Sequence, residues 1–308
     1  MNKILGIMPH SIGGRLTTSS ILDGFKLNNY EVIIYDELKN DDFSNFLNSN
    51  YSYIVGYDFS PIKLKIDYDL NFPCIAYFSD VIEDKTSGIG YVEYNKFLNN
   101  SDIHIFYWDR ELTKVTNFHY MPHFVNTNVY KNYLKPINDV IFMGRLDTDL
   151  RLNMYLNLNK MLPSLKFKYY GIQKHFDDAI SRCKNDEEKN ILKNTYAGFI
   201  DNEIDMSKVI NEAKIIYNIN AQGISSLNYR TIQVMACERL LISDKRKELD
   251  LFENIIPTYN NIEELAQKIE YYLKNKKEYT KITKKSREFI LKNHDSFICV
   301  KNILAKIN

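Results

Sequence analysis

The loop between the first apolar run and the first helical pattern has the composition of an anion-binding turn. It reads PHSIGGRLTTS, residues 9–19, and contains Gly13 and Gly14, with Thr17 or Thr18 placed to cap the helix that follows. Glycine lets a ligand approach the backbone closely, and N–H groups at a helix start attract anions. The loop has neither the G-x-G-x-x-G pattern nor a Walker Lys-Ser/Thr ending. It predicts contact with a phosphate group, with plain turn chemistry as the alternative.

A second loop of this kind follows an apolar run in the second half of the chain. It reads MGRLDTDLR, residues 143–151, and places Arg145 and Arg151 at a strand exit and near the next helix start. The guanidinium fork binds two oxygens and keeps its charge, which suits a diphosphate. A surface ion pair with Asp147 or Asp149 is the competing interpretation. Asp-Thr-Asp also has the spelling of a metal-binding motif, but it follows the loop glycine, so we expect no metal site.

The most informative stretch runs from Ile219 to Leu249. It places small polar side chains at a strand exit and then opens a helix near Arg230. The helix start suits a phosphate or ribose, and the polar side chains suit hydroxyl groups. An N-cap cluster is the alternative interpretation. The polar residues are Asn220, Ser225, Ser226 and Asn228.

The composition of the 308-residue chain excludes several classes of protein. Lys plus Arg is 40 and Asp plus Glu is 39, so the net charge of +1 argues against a large surface for duplex nucleic acid. The four cysteines form no C-x-x-C pair and no zinc-type cluster, which indicates reduced thiols. The apolar run before Pro9 is too short for a signal segment, and no stretch approaches the ~20 apolar residues of a membrane span. We expect a cytoplasmic protein without a metal or cofactor.

An alternation of strands and helices must position these loops. Short apolar runs alternate with helical patterns up to residue 121, the pattern lapses over 122–136, and it restarts at Val140. Such alternation is typical of parallel sheets with crossover helices, so the fold class is α/β. Strands are predicted at 3–8, 31–35, 53–57, 74–78, 103–107, 118–121, 140–143, 166–170, 215–219 and 240–243, and helices at 17–28, 150–162, 206–213, 229–237 and from 262 onward.

The stretch from Asn228 to Asp244 resembles the core motif of the group 1 glycosyltransferases, particularly the bacterial branch related to the spore-maturation glycosyltransferases. That motif reads Asn-Pro-Arg-Thr-Phe-Glu, then a small-residue run ending Ala-Cys-Gly, then Leu-Leu-Thr-Asp. This chain has NYRTIQ, then ACE, then LISD. Further segments resemble the family in the same order, namely 73–80, 121–123, 139–144, Tyr170-Gly171 and 273–294.

The resemblance implies the GT-B architecture, in which two Rossmann-like domains face each other across a cleft. The acceptor domain is expected at 1–130, with a helix at 295–308 packing back on it, and the donor domain at 137–294. Implied donor-binding residues are Gly13, Gly14, Gly144, Arg151, Tyr170, Gly171, Asn220, Ser225, Ser226, Asn228 and Gln233. Ser225 and Gln233 stand where many family members have two glutamates, and Glu238 replaces the usual glycine.

The reaction implied by the resemblance moves a sugar from a UDP- or GDP-sugar to a hydroxyl of a glycan, lipid-linked or protein acceptor, with retention and without a metal. Arg145 and Arg230 would stabilise the leaving diphosphate. If the enzyme inverts, His10 or Asp80 would be the general base, since both follow predicted strand ends. Peripheral membrane contact is a further expectation. The alternatives are a non-catalytic sugar-nucleotide binder with a degenerate transferase fold, a periplasmic-type sugar-binding protein, and a phage-type enzyme that glycosylates modified bases.

Overall fold

The computed structural model describes residues 2–39, 42–79, 101–114, 118–220 and 227–307, which form two compact units. Unit 1 consists of Met1–Asn128, Ala221–Ile232 and Ile290–Asn308. Unit 2 consists of Val129–Asn220 and Gln233–Phe289. Relative to the expected domain bounds, residues 221–232 and 290–294 group with unit 1.

Unit 1 is built on a six-stranded parallel sheet with the strand order β2-β1-β3-β4-β5-β6. The strands are β1 (Lys3–Met8), β2 (Glu31–Asp36), β3 (Tyr53–Tyr57), β4 (Cys74–Phe78), β5 (Ile103–Tyr107) and β6 (His119–Tyr120). The described α-helices that begin and end in this unit are α1 (Ile12–Leu27), α2 (Ser60–Asp67), α3 (Arg110–Thr113) and α11 (Ser296–Ile307). Strand β1 is buried from Ile4 to Met8, since it lies between β2 and β3 and contacts α1.

Unit 2 contains a five-stranded parallel sheet with the order β11-β10-β9-β7-β8. The strands are β7 (Asn138–Met143), β8 (Phe167–Tyr170), β9 (Ala213–Asn218), β10 (Leu240–Asp244) and β11 (Thr258–Tyr259). The remaining helices are α4 (Asp149–Met161), α5 (Gln173–Arg182), α6 (Asp186–Thr195), α7 (Glu203–Glu212), α8 (Arg230–Ala236), α9 (Ile262–Lys274) and α10 (Lys276–Asn293). Helix α8 crosses the unit boundary after Ile232, and α10 crosses it after Phe289.

The α/β prediction is confirmed, but the start of α1 is not where the sequence pattern placed it. The helix begins at Ile12 rather than at residue 17, because the Ser11 hydroxyl accepts a hydrogen bond from the Gly14 amide at 3.2 Å and caps it. Thr17 and Thr18 are therefore buried helix residues and not caps. Among the described residues, no helix is both long and apolar enough to cross a bilayer.

Candidate active site

All parallel strands of the unit 2 sheet end at one edge, which is where ligands bind in open sheets of this kind. The loops that follow β7, β8, β9 and β10 lie there, and we call them the carboxyl edge of unit 2; they comprise residues 144–148, 171, 219–220 and 245–246. Four guanidinium groups make hydrogen bonds or ion pairs at this edge, together with several aspartates; they are those of Arg145, Arg151, Arg182 and Arg246. The edge is thus built around cations that are partly neutralised.

Two of the predicted glycines lie where neighbouring strand exits approach each other. Gly144 has φ 143°, a conformation that glycine adopts easily, and its amide donates to the Tyr170 carbonyl at 2.9 Å. A side chain on Gly171 would collide with the Tyr169 hydroxyl and with the Gly144 carbonyl. Tyr170 is half-buried, and burial raises the pKa of its hydroxyl. The glycines therefore let the exits of β7 and β8 approach each other closely.

Arg145 and Arg151 share one carboxylate. Arg151 is 13% exposed, and its guanidinium donates to Asp147 Oδ1 at 3.2 Å and to the Ile219 carbonyl at 3.2 Å. Arg145 is 47% exposed, with its Nε 3.4 Å from Asp147 Oδ2. The ion-pair alternative is thus present for both residues. The two guanidinium groups thus share the single carboxylate of Asp147, and Arg145 is the more exposed of the two cations.

Three further side chains bond to residues of this edge and were not predicted as site residues from the sequence, namely those of Arg182, Asp244 and Arg246. Arg182 donates to the Leu146 carbonyl and, at 3.1 Å, to Asp149 Oδ1. Arg246 lies two residues after the end of β10, and this strand-exit position could have identified it from the sequence. Arg182 lies at the end of the polar helix α5, and no sequence pattern there indicates a role at this edge.

The predicted residue Asn220 is held by the end of β10. The backbone amide of Asn220 donates to Asp244 Oδ1 at 3.0 Å, and its side-chain amide donates to the same oxygen at 2.6 Å. Its side chain also donates to the Ser243 hydroxyl at 3.1 Å. Arg246 donates to the Asn220 carbonyl, and its Nε lies 3.4 Å from Asp244 Oδ2. This network fixes the exit of β9.

Gln233 lies apart from these groups, inside unit 2. It is 2% exposed, and its amide donates to the Tyr130 hydroxyl oxygen at 2.7 Å. Arg287 donates to the carbonyls of Tyr130 and Ala236 at 2.5 Å each. In this arrangement Gln233 holds the polypeptide segment around Tyr130.

Asn228 and Arg230 belong to the part of the motif that groups with unit 1. The Asn228 carbonyl accepts from the Thr231 amide at 3.0 Å, and α8 begins at Arg230. The Tyr229 hydroxyl lies 2.7 Å from the Ser20 hydroxyl of α1. Predicted residues Asp80, Ser225 and Ser226 lie outside the described residues.

The predicted residues His10, Gly13 and Gly14 meet at the exit of β1 in unit 1. His10 is 65% exposed, and its amide donates to Glu37 Oε2 at 3.2 Å, with the ring Nε2 3.9 Å from that oxygen. A Cβ on Gly13 would meet open space, whereas one on Gly14 would lie 2.7 Å from a ring carbon of Tyr57. Of the two glycines, Gly13 is the one beside free volume.

Arg15 anchors the same loop and was not predicted. Its guanidinium donates to both Asp36 oxygens at 2.8 Å and to the Pro9 carbonyl at 3.1 Å. The hydrogen bonds between the two side chains raise the pKa of Arg15 and lower the pKa of the Asp36 carboxyl. The pair fixes the backbone that carries His10.

Within the described ranges, no three His, Cys, Asp or Glu residues are grouped as metal ligands. The carboxylates of the Asp-Thr-Asp sequence are engaged by arginines: Asp147 by Arg145 and Arg151, and Asp149 by Arg182.

Comparison with known proteins identifies a family and several solved structures to which this chain is similar. The family model described as "Glycosyl transferase-like" matches residues 151–305, just over half of the chain. No curated protein sequence matches significantly. Among solved structures, alpha-glucosyltransferase (AGT) in complex with UDP is 12% identical with a TM-score of 0.73, and both chains are covered completely.

Two further structures match along nearly their whole length. Anabaena HepE in complex with UDP and glucose is 10% identical with a TM-score of 0.71, covering 100% of this chain and 99% of that one. Sucrose-phosphate synthase from Thermosynechococcus elongatus is 12% identical with a TM-score of 0.67, covering 99% and 98%. These likenesses establish the GT-B fold. With more than half of its residues matched by the family model, the chain belongs to the glycosyl transferase-like family and is a glycosyltransferase.

Proposed function

We propose that the chain transfers a sugar from a UDP-sugar to an acceptor hydroxyl, with retention and without a metal or cofactor. The observation that carries the proposal is the arginine-rich carboxyl edge of unit 2, where Arg145 is exposed beside the glycine at the exit of β7. UDP as the nucleotide is supported by AGT and HepE, which have this fold and whose structures contain UDP. A GDP-sugar is the second choice.

The leaving group of this reaction is a nucleoside diphosphate, which gains negative charge as the bond to the sugar breaks. A guanidinium at that position stabilises the developing charge without a metal ion. Arg145 has the exposure this role requires, and Arg151 supplies a second positive charge that is fixed between two loops. Arg230, at the start of α8, is the third proposed cation.

In a retaining reaction the leaving phosphate takes the proton of the acceptor hydroxyl, so no side-chain base is needed. An inverting reaction needs one, and His10 beside Glu37 is then the residue placed for it. The anomeric configuration of the product, read by NMR coupling constants, decides between the two. A product with the opposite configuration to the donor would exclude retention.

Binding of UDP to Arg145 is tested by thermal shift and calorimetry with UDP, GDP, CMP and dTDP. We expect UDP to raise the Tm, and Arg145→Ala to weaken UDP binding by about 10- to 100-fold, since a hydrogen bond to a charged group contributes about 1.5–3 kcal/mol. Lys277→Ala, at an exposed position of α10, is the control and should leave binding unchanged. An Arg145→Ala protein that binds UDP like the wild type would remove the basis of the proposal.

A non-catalytic sugar-nucleotide binder is the second candidate. It is favoured by Gln233, which replaces a family glutamate and donates its amide to Tyr130. Incubation with a mixture of nucleotide-sugars separates the candidates, because any hydrolysis or transfer excludes a pure binder. Acceptors to be compared are glycans, lipid-linked sugars with and without membranes, and proteins.

A further inference from the structure

The loop after β7 is held at two successive carbonyls by two different arginines. Arg151, from α4, donates to the Arg145 carbonyl at 3.5 Å. Arg182, from the end of α5, donates to the Leu146 carbonyl. Leu146 itself is fully buried, and the Gly144 amide is bonded to β8. The backbone on both sides of Arg145 is therefore fixed while its side chain remains exposed.

The donors of Arg182 are largely committed. Its Nε donates to Asp178 Oδ2 at 3.1 Å, Nη1 donates to Asp149 Oδ1 at 3.1 Å, and Nη2 reaches both Leu146 O and Asp178 Oδ2. Three of the five N–H groups of the guanidinium thus donate hydrogen bonds, and Nη2 is in addition ion-paired with Asp178 at 3.0 Å. A residue that binds phosphate directly needs free donors, so Arg182 is suited to hold the loop rather than the ligand.

The contacts of Arg182 differ in strength. Asp149 is 84% exposed, so its ion pair with Arg182 is screened by water and contributes little. The bond to the Leu146 carbonyl is partly buried, where a charge-assisted hydrogen bond is stronger. The carbonyl bond is the contact that positions the loop.

We propose that Arg182 is a positioning residue for donor binding, which acts by fixing the Leu146 carbonyl and thereby the direction in which Arg145 meets the diphosphate. This inference rests on the proposed function, because Arg145 is the group through which Arg182 acts. It makes the two arginines energetically coupled: removing Arg182 has an effect only while Arg145 is present.

A double-mutant cycle with UDP as the ligand tests the coupling. The variants are Arg182→Gln, Arg145→Ala and the double variant, with the Kd for UDP measured by calorimetry and the Tm recorded for each. We expect Arg182→Gln to weaken UDP binding about 5- to 20-fold in the wild-type background and less than twofold in the Arg145→Ala background. Arg182→Lys should recover part of the affinity, because one ammonium can still reach the Leu146 carbonyl.

Asp149→Asn is the matched control. It removes the exposed ion pair but leaves the carbonyl bond, so UDP binding should stay within twofold of wild type. Equal losses from Arg182→Gln in both backgrounds would overturn the proposal, since a direct contact or a general loss of structure gives additive effects. If Arg145→Ala itself leaves UDP binding unchanged, that result contradicts the proposed role of Arg145 in donor binding. The positioning role of Arg182 is then contradicted as well.

Discussion

The side-chain amide of Gln233 donates to the hydroxyl oxygen of Tyr130 at 2.7 Å, and both side chains are buried. The resemblance implies a donor-binding role at this position, whereas this contact implies a structural one. We expect Gln233→Ala to lower the free energy of unfolding by about 1–3 kcal/mol, from the lost hydrogen bond and the space left behind. UDP affinity of the folded protein should change less than threefold. Urea unfolding and calorimetry measure the two quantities.

Tyr130→Phe is the matched control for that prediction, because it removes the same hydrogen bond with little change in volume. The two substitutions should be non-additive, with a coupling of about 1 kcal/mol. A large loss of UDP affinity at unchanged stability would instead assign Gln233 to the ligand.

Two buried histidines of unit 1 predict acid sensitivity. The Nδ1 atom of the His123 ring lies 3.2 Å from the Tyr77 hydroxyl oxygen. The backbone carbonyl oxygen of His123 lies 2.7 Å from His294 Nδ1. Burial lowers the pKa of His123 to about 3 and that of His294 to about 4. Below about pH 6.5 the unfolded chain binds protons that the folded chain does not, so stability falls as the pH falls. The slope approaches about 1.4 kcal/mol per pH unit for each histidine until the folded pKa is reached.

Urea unfolding of His123→Gln at pH 4.5 to 7.5 checks this slope. The variant should show a pH dependence that is shallower by about one proton between pH 6 and pH 4.5. Equal slopes for the variant and the wild type would mean that His123 is protonated in the folded state.

The two adjacent glycines of α1 are expected to respond oppositely to alanine. A Cβ at position 14 would lie 2.7 Å from Tyr57 and 2.9 Å from Pro9, so Gly14→Ala should destabilise the protein by about 1–3 kcal/mol. A Cβ at position 13 meets nothing within 4 Å, so Gly13→Ala should be neutral or stabilising by up to about 1 kcal/mol. If the open side of Gly13 admits the donor phosphates, Gly13→Ala will also weaken UDP binding. Unchanged UDP binding would leave this loop with a purely structural role.

Removal of divalent metals should leave transfer intact. Arginines engage both carboxylates of the Asp-Thr-Asp sequence, so Asp147 and Asp149 are poor candidates for holding a cation. We expect less than a twofold change in rate after dialysis against EDTA, and no gain from added Mg²⁺ or Mn²⁺. A rate that collapses with EDTA and returns with Mn²⁺ would contradict metal-independent transfer.

The strands were readable from the sequence because each is a short apolar run bounded by polar or turn residues. The runs at Tyr53–Tyr57 and Cys74–Phe78 coincide with β3 and β4. Helices α5 and α6 were missed because they are mostly polar; the start of α6 is set by a local cap, with Asn185 accepting from the Glu188 amide.

At the candidate site, the sequence identified residues that stand directly at strand exits. Gly144, Arg145, Gly171 and Asn220 could be found this way because parallel strands end at a common edge. Arg182 could not, since its contact with Leu146 spans 36 residues and depends on how α5 packs. The inward placement of Gln233 was equally hidden, because its partner Tyr130 is 103 residues away.

Unit 1 is assembled from three separate stretches of chain, and this dictates an order during synthesis on the ribosome. Helix α11 packs on α1 so closely that a Cβ on Gly24 would lie 2.6 Å from the Ser296 carbonyl. Residues 296–307 are translated after all of unit 2. The N-terminal sheet and α1 are therefore synthesised first, but α11 can pack on α1 only when the chain is almost complete. A nascent chain arrested before residue 296 therefore presents an apolar surface that holdase chaperones would recognise.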